Sequence, residues 1–294
     1  MIAILGGLGA AILWASANLA SSRSSRLIGA SSTVAWMMLV GLAVALPAAA
    51  VSGPVPAISP TLAAWLAASG FGSVIGLILV YRGLRIGKIG VVLALASTEG
   101  AIAAVLSIIS GESLSLPILL VLGLIAVGIA TVAMAGENMA APVDENGAAV
   151  VSSGLSVDQR SALYGGAAAI AFGFSIYGTA QAGISLPVFM AILPARVVGV
   201  ACVFVPMAVA GRLQLTRRAV PLILIVAGGE VFGNVSYVLG ARESIAITAV
   251  LASQFAAVAA IAAFFIFRER LTPRQRYGFI AIAVGLAILT AVRG

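Results

Sequence analysis

The segment "FMAILPARVVGVACVFV" at residues 189–205 is apolar enough to cross a lipid bilayer, yet it carries Arg196 near its centre. A helix rises 1.5 Å per residue, so Arg196 lies roughly 15 Å deep in such a span. A central arginine costs about 2.5–3.5 kcal/mol on insertion scales, and it must face protein or water and find a partner. If this segment is a membrane helix, the fold has to supply a polar interior.

The composition predicts a membrane protein. The chain is 62% hydrophobic and 9% charged, whereas a soluble domain carries about 25% charged residues. The 294 residues leave room for about ten membrane helices of about 20 residues each. The net charge of +7 comes from short loops without an aromatic-rich basic patch, so we expect no nucleic-acid partner.

The apolar runs predict an all-α integral membrane protein with ten transmembrane helices that contacts the lipid bilayer along its length. The predicted spans are 2–20, 31–51, 61–82, 87–109, 116–135, 161–181, 186–210, 219–240, 244–267 and 273–292. The polar stretch 136–160 is predicted to be a linker loop between two five-helix units, 1–135 and 161–294.

The placement of basic residues predicts the orientation. Of the 16 Lys and Arg residues, 13 lie in the odd-numbered loops between predicted spans, and only Arg242 and Arg293 lie on the other side. Cytoplasmic loops carry the excess of Lys and Arg. We therefore predict that the odd-numbered loops are cytoplasmic and that both termini are periplasmic.

A shift of 157 residues aligns the two halves of the chain without a gap. "GSVIG" at 72–76 falls on "GEVFG" at 229–233, and "IAVG" at 125–128 falls on the same tetrapeptide at 282–285. The chain is therefore predicted to be a duplication of five spans. Because five is odd, the second unit enters the membrane from the opposite side, which is the inverted-repeat plan of many secondary transporters.

Arg196 has two candidate partners within predicted spans, Glu99 and Glu230. Glu230, Asn234 and Tyr237 form a polar stripe at helical spacing, and further polar or aromatic residues occur in other spans. A salt bridge that only locks Arg196 in place and a direct contact with substrate are both open at this stage. The candidate cavity residues are Trp14, Asn18, Tyr81, Ser97, Glu99, Tyr177, Arg196, Glu230, Asn234, Tyr237 and Gln254.

Two prolines inside predicted spans, Pro47 and Pro194, are hinge candidates because proline removes a helix hydrogen bond. Two GxxxG pairs, at 72/76 and 229/233, are most simply close-packing sites between helices. Glu112 lies at a helix end and is interpreted as structural.

The residue inventory excludes several enzyme classes. The chain has no histidine, and its two aspartates, Asp144 and Asp158, both lie in the predicted linker. A metalloprotease, a serine–histidine protease and an intramembrane diaspartyl protease are therefore excluded. No phosphate-binding GxxxxGK[ST] loop occurs and no cluster of metal-ligand residues, so we expect no cofactor, no metal and no enzymatic activity.

Three motifs resemble the EamA-type halves of the drug/metabolite transporter superfamily. They are "AAILWASANLASSR" at 10–23, "PAR" at 194–196, and the Glu-x-Leu ending in "GESLS" at 111–115 and "RERLTPRQRYGFIAIAVGLAI" at 268–288. More narrowly, the chain is similar to the aromatic amino-acid exporters of that superfamily. The resemblance covers essentially the whole chain.

The resemblance implies export of amino acids across a bacterial inner membrane by alternating access. Arg196 would take the substrate carboxylate, Glu99 or Glu230 the ammonium, and aromatic residues the side chain. Two alternatives stay open: efflux of drugs or other metabolites, in which a glutamate binds a cation or a proton, and a membrane receptor without transport. Ten spans are enough for a monomer.

Overall fold

The computed structural model describes residues 1–54, 56–86, 92, 95–134, 157–255, 257–258, 261–262 and 273–293, and within these ranges it is helical with no strand. The helices are α1 (Ile2–Ile28), α2 (Ala30–Ala50), α3 (Pro60–Ile86), α4 (Glu99–Ile109), α5 (Leu116–Met134), α6 (Val157–Ser185), α7 (Val188–Gly199), α8 (Val205–Val209), α9 (Val220–Ala241), α10 (Ile245–Ala252) and α11 (Pro273–Arg293). A π-helical turn, Val200–Phe204, joins α7 to α8.

Six helical segments in the described ranges are long and apolar enough to cross a membrane: α1, α2, α3, α6, α9 and the continuous segment Val188–Val209. Three further apolar helices are shorter: Glu99–Ile109, Leu116–Gly128 and Ile280–Leu289. In the described ranges the chain is therefore helical, and its apolar helices support a multi-pass membrane protein. The predicted spans 87–109 and 244–267 fall partly outside the described residues, so the count of ten stays a prediction.

The first helix is longer than its apolar stretch. α1 continues to Ile28, whereas the sequence predicts a span that ends near residue 20. The extra residues are rich in serine and arginine, which a helix tolerates at little cost once it leaves the hydrocarbon. The chain then reverses at Gly29, whose φ of 82° is a left-handed value that favours glycine.

Two predicted spans contain a break near their middle. Turns occur at 97–98, before α4, and at 253–254, after α10. The Thr98 hydroxyl donates to the Leu95 carbonyl oxygen at 2.7 Å, and the Ser253 hydroxyl donates to the Val250 carbonyl oxygen at 2.9 Å. Such bonds compete with the helical pattern, which explains why these spans are not continuous as predicted.

α3 packs along α6 through glycines. A Cβ atom added at Gly72 would lie 2.7 Å from the carbonyl oxygen of Ala171, and one at Gly76 would lie 2.5 Å from the ring of Phe172. Glycine is therefore required for the two backbones to approach so closely.

α9 packs along α1 in the same way. A Cβ atom added at Gly229 would lie 2.7 Å from the carbonyl oxygen of Leu13, and one at Gly233 would lie 2.5 Å from the Trp14 ring. In both helix pairs the first glycine meets a carbonyl and the second meets an aromatic ring. The two GxxxG pairs are close-packing sites, as the sequence predicts.

α5 and α11 make a reciprocal contact. A Cβ atom at Gly128 would lie 2.9 Å from Ile282, and a Cβ atom at Gly285 would lie 2.6 Å from Ile125. The two glycines are 157 residues apart, and so are the two isoleucines.

Helices of the first predicted unit pack on helices of the second: α1 on α9 and α10, α2 on α7, and α3 on α6 and α7. Most of the predicted linker, 136–160, lies outside the described residues, and its last four residues belong to α6. The division into units 1–135 and 161–294 stays a prediction. The described helices of both ranges pack against one another in one bundle.

Candidate functional site

A cavity of about 490 Å³ lies among α1, α2, α3, α4, α6, α7 and α9. It contains the ionisable groups that the sequence singled out within the membrane, and it brings together residues from both halves of the chain. Seven predicted candidates line it: Trp14, Asn18, Ser97, Glu99, Arg196, Glu230 and Asn234.

Three further candidates do not line this cavity. Tyr177 is 1% exposed, Tyr237 is 0% exposed and Gln254 is 4% exposed, so all three are buried beside it. The side chain of Tyr81 lies outside the described part of the structure. A substrate-binding role for the candidates stays a prediction.

α6 faces the cavity with a different stripe from the one expected. The sequence draws attention to Tyr177, but its ring packs at right angles to Trp65 with centroids 5.2 Å apart. The cavity face of α6 carries Phe172, Ser175 and Thr179 instead. These residues follow helical spacing, and only the serine–threonine pair could have signalled a polar face in the sequence.

Further lining residues were missed because they are apolar or small. They are Met37, Met38, Ser73, Leu77, Val80, Ala96, Ile176, Ala195 and Phe255. The cavity is therefore mostly apolar, with its charged groups at a few positions, which is typical of small-molecule sites.

Arg196 forms an ion pair with Glu230. The distance between Arg196 Nη2 and Glu230 Oε2 is 3.3 Å, and the exposed fractions of the two side chains are 3% and 29%. Arg196 Nη1 lies 3.7 Å from the sulfur of Met38. Arg196 can therefore lie within the membrane because its charge is compensated by a carboxylate at the cavity surface.

Two glycines make room for Arg196 and its neighbour. A Cβ atom at Gly41 would lie 3.2 Å from Arg196 Cδ, and one at Gly199 would lie 2.5 Å from the Met38 sulfur. α2 and α7 can therefore approach closely enough to hold the guanidinium between them.

The α9 residue Asn234 also faces the cavity, one turn beyond Glu230. Its Nδ2 donates to the backbone carbonyl oxygen of Glu230 at 2.7 Å. Because Asn234 bonds to the backbone oxygen of Glu230, the Glu230 carboxylate can pair with Arg196. The Asn234 amide oxygen can still accept a hydrogen bond from another group.

Glu99 occupies the first turn of α4, directly after the break at 97–98. Its half-buried side chain lines the cavity. Within the described part of the chain, it forms no ion pair and no side-chain hydrogen bond. The first turn of a helix favours a negative charge through its exposed N–H groups, which helps the fold to keep a carboxylate here.

Several buried donors have no acceptor among the described residues: Trp14 Nε1, Arg196 Nε, Tyr237 Oη and Gln254 Nε2. Trp14 is 7% exposed and Arg196 3% exposed, and both line the cavity. A buried donor without an acceptor costs about 1–3 kcal/mol.

Aromatic rings enclose one side of the cavity. The Trp14 ring lies 6.0 Å from the Tyr237 ring and 6.3 Å from the Phe255 ring, centroid to centroid. Tyr237 therefore supports Trp14 from behind, and Trp14 and Phe255 present apolar surface to the interior.

One end of the helix bundle is tightly closed beyond these rings. A Cβ atom at Gly6 would lie 2.5 Å from Gly240 Cα, and the Ser236 hydroxyl donates to the Gly6 carbonyl oxygen at 3.0 Å. The Thr248 hydroxyl reaches the Ala3 carbonyl oxygen at 3.3 Å. α1, α9 and α10 thus form a dense seal between the cavity and the end that carries Met1.

Glu112 strengthens the same end. It accepts hydrogen bonds from the hydroxyls of Ser107 and Ser244 and from the backbone N–H of Ala246 at 3.2 Å. Because Ala246 lies in the first turn of α10, the carboxylate caps that helix. The structural interpretation of Glu112 is supported.

Both hinge candidates lie in helices that continue past the proline: Pro47 in α2 and Pro194 in α7. The π-helical turn Val200–Phe204 follows Pro194 within two turns. Turns of this kind are frequent at functional sites. A hinge role for either proline stays a prediction.

Among the described residues, no group of three or more His, Cys, Asp or Glu side chains could hold a metal ion. The residues that line the cavity offer ionic, hydrogen-bonding and apolar contacts.

Residues 1–134 match the EamA-like transporter family. No curated protein sequence matches the chain. A solved crystal structure is similar to it with a TM-score of 0.74 and 14% sequence identity, over 99% of this chain and 96% of the other. At this identity the likeness concerns the fold alone. Residues 1–134, just under half of this multi-pass membrane protein, are therefore similar to the EamA-like transporter family.

Proposed function

We propose that the protein is a secondary transporter that exports amino acids, aromatic and other neutral ones, across a bacterial inner membrane by alternating access. The observation that carries the proposal is the origin of the cavity lining. Ser73 and Glu230 are 157 residues apart, as are Leu77 and Asn234, and all four line one cavity. In transporters with inverted repeats, the substrate site lies where the repeats meet.

The reciprocal contact between α5 and α11 supports the inverted-repeat part of the proposal. Gly128 meets Ile282, and its counterpart Gly285 meets Ile125. A two-fold relation requires that if residue i meets j, then the counterpart of i meets the counterpart of j. Two five-helix units of opposite orientation satisfy this requirement.

The cavity suits an amino acid in size and chemistry. Its volume of about 490 Å³ falls within the range of small-molecule sites, about 300–1,000 Å³. A guanidinium has five donors, so Arg196 has donors for a substrate carboxylate besides the one that Glu230 accepts from. Trp14, Phe172 and Phe255 offer surfaces for an apolar or aromatic side chain.

The tight packing of Gly6, Ser236 and Gly240 supports a one-sided access route. Under the predicted orientation this closed end is periplasmic, and a substrate would load from the cytoplasm. Export would then require α1, α9 and α10 to separate at that end, which is the alternating step of the proposed mechanism.

Counterflow in proteoliposomes tests the proposal. We expect purified protein to exchange labelled aromatic amino acids, and Arg196→Gln and Glu230→Gln to reduce exchange by about tenfold or more, since each removes a charge-assisted contact. Arg212→Gln, an exposed arginine outside this cavity, is the matched control. Unchanged exchange by both cavity variants, with intact folding, would contradict the site.

A second candidate function is efflux of cationic drugs or metabolites. The Glu99 carboxylate favours it, because this group faces the cavity without an ionic partner in the described residues. Counterflow with quaternary ammonium compounds in place of amino acids separates the two functions, and repeating both with an imposed pH gradient tests proton coupling.

A further inference from the structure

The cavity contains two carboxylates that the sequence could not tell apart. Three described ionisable side chains line it: Arg196, Glu230 and Glu99. If all are ionised, one positive charge faces two negative ones, so one carboxylate has no counterion. The structure decides which one.

The Glu230 carboxylate forms an ion pair with Arg196. The pair is 3.3 Å apart, and Arg196 is 3% exposed. Arg196 Nη1 also lies 3.7 Å from the Met38 sulfur. Removing Glu230 would leave a buried cation without a counterion, which is costly. A guest that displaced the Glu230 carboxylate from Arg196 would leave the same buried cation without a counterion.

The Glu99 carboxylate has no such ionic partner among the described residues. It lies on α4 and lines the cavity, and among the described residues it forms no ion pair. Glu99 sits in the first turn of α4, and the exposed N–H groups of a helix N-terminus favour a negative charge there without neutralising it.

We propose that Glu99 is the cation-binding group of the cavity and takes the ammonium of the guest, whereas Glu230 is a positioning residue that holds Arg196. The inference rests on the proposed function in that the cavity must admit a small-molecule guest. It adds that the recognised feature is a protonated amine, so that a guest with an ammonium and no carboxylate still binds.

The physical reason is charge balance in a medium of low dielectric. An uncompensated charge within the membrane is expensive, and a guest ammonium beside Glu99 removes the imbalance. A guest that carries only a carboxylate would add a second negative charge to the imbalance. The cavity should therefore prefer the amine to the acid of the same shape.

Three probes with one skeleton test this preference: phenethylamine, phenylalanine and 3-phenylpropionate. They carry an ammonium only, both groups, and a carboxylate only. Isothermal titration calorimetry on purified protein at neutral pH measures their affinities. We expect phenethylamine to bind about tenfold or more tightly than 3-phenylpropionate, and Glu99→Gln to weaken phenethylamine by about tenfold or more.

Glu243→Gln is the matched control, because it makes the same chemical change at a carboxylate outside the cavity, near Met1. We expect it to leave all three affinities within about twofold. Glu99→Asp keeps the charge on a shorter side chain and should bind phenethylamine between the wild-type protein and Glu99→Gln.

A second readout separates a binding role from a structural one. Because Glu99→Gln removes a carboxylate without a described partner, it should raise the unfolding temperature of the empty protein while it weakens amine binding. A structural role predicts a lowered unfolding temperature. Equal binding of phenethylamine by wild-type and Glu99→Gln protein, or no binding to the wild-type protein at millimolar concentration, would overturn the inference.

Failure of the inference and failure of the proposed function give different results. Binding of phenethylamine that depends on Glu99, without exchange of any amino acid in proteoliposomes, keeps the cation site and rejects amino-acid export. Exchange of amino acids that Glu99→Gln leaves unchanged keeps export and rejects the cation site.

Discussion

Two of the helices that line the cavity, α3 and α9, carry matching pairs of close-packed glycines but different side chains towards the cavity. Ser73 and Leu77 line it from α3, and the positions 157 residues later carry Glu230 and Asn234. The glycines behind these side chains are the same in both helices. Close packing has therefore been retained in both halves, while the cavity face is apolar or weakly polar on α3 and charged on α9.

This difference explains why a single arginine is held on one side. The position 157 residues before Arg196 is Leu39, so the first half supplies neither the cation nor its carboxylate. If the chain is a duplication as predicted, the two repeats form a symmetric cavity, and the charged residues on α9 make its two walls different. A zwitterion needs such a difference, because its two ends carry opposite charges.

The largest expected effect comes from removing the charge of the α9 wall. Glu230→Gln should lower the free energy of unfolding by about 3 kcal/mol, the lower end of the range for a buried pair, because Glu230 itself is 29% exposed. Chemical denaturation followed by tryptophan fluorescence measures the loss. Ser73→Ala, the same position on α3, should change stability by less than about 0.5 kcal/mol.

A double variant sharpens that result. Arg196→Met combined with Glu230→Met removes both charges, and an apolar pair of similar volume is often as stable as a buried ion pair. We expect the double variant to recover most of the stability lost by Glu230→Gln. If the double variant is less stable than the single one, Arg196 has another essential partner.

An intermediate effect tests the similarity of the two helix pairs. Gly72→Ala and Gly229→Ala each place a Cβ atom 2.7 Å from a carbonyl oxygen, so each should destabilise the protein by about 1–3 kcal/mol. Gly228→Ala is the control, since nothing lies within 4 Å of its Cβ position. Effects that differ by more than about 2 kcal/mol between the two halves would break the equivalence.

The smallest effect concerns the divergent position one turn along. Asn234→Leu makes the α9 wall resemble α3 at Leu77 and removes the bond from Asn234 Nδ2 to the Glu230 carbonyl oxygen. We expect a change in stability of about 1 kcal/mol or less and a lower affinity for amino acids in calorimetric titration. An unchanged affinity would mean that the α9 wall acts through Glu230 alone.

Much of the fold followed from the pattern of residues. The apolar runs predicted the limits of α2, α5, α9 and α11 to within a few residues, because bilayer thickness sets helix length. The glycines at 72, 76, 229 and 233 were predicted as packing sites and occupy such sites. The breaks at 97–98 and 253–254 were not predicted, since a serine or threonine bonding to its own helix leaves hydropathy unchanged.

The site was predicted less completely. Polar and charged lining residues were identified, because an ionisable group within the membrane is costly and therefore marks a functional site. Met38, Phe172 and Phe255 were missed, since an apolar side chain that faces a cavity looks the same in sequence as one that faces lipid. Tyr177 was included as an aromatic contact for the substrate and Tyr237 as part of a polar stripe, and both are buried against tryptophans.

The sequence by itself determined that this is a membrane protein and that Arg196 needs a counterion inside the membrane, and it predicted a repeat at a spacing of 157 residues. Only the tertiary structure decided that the counterion is Glu230 and that Glu99 faces the cavity. The reason is physical: hydropathy and repeats are properties of the chain, whereas the partner of a charge depends on how α7 and α9 rotate and approach each other.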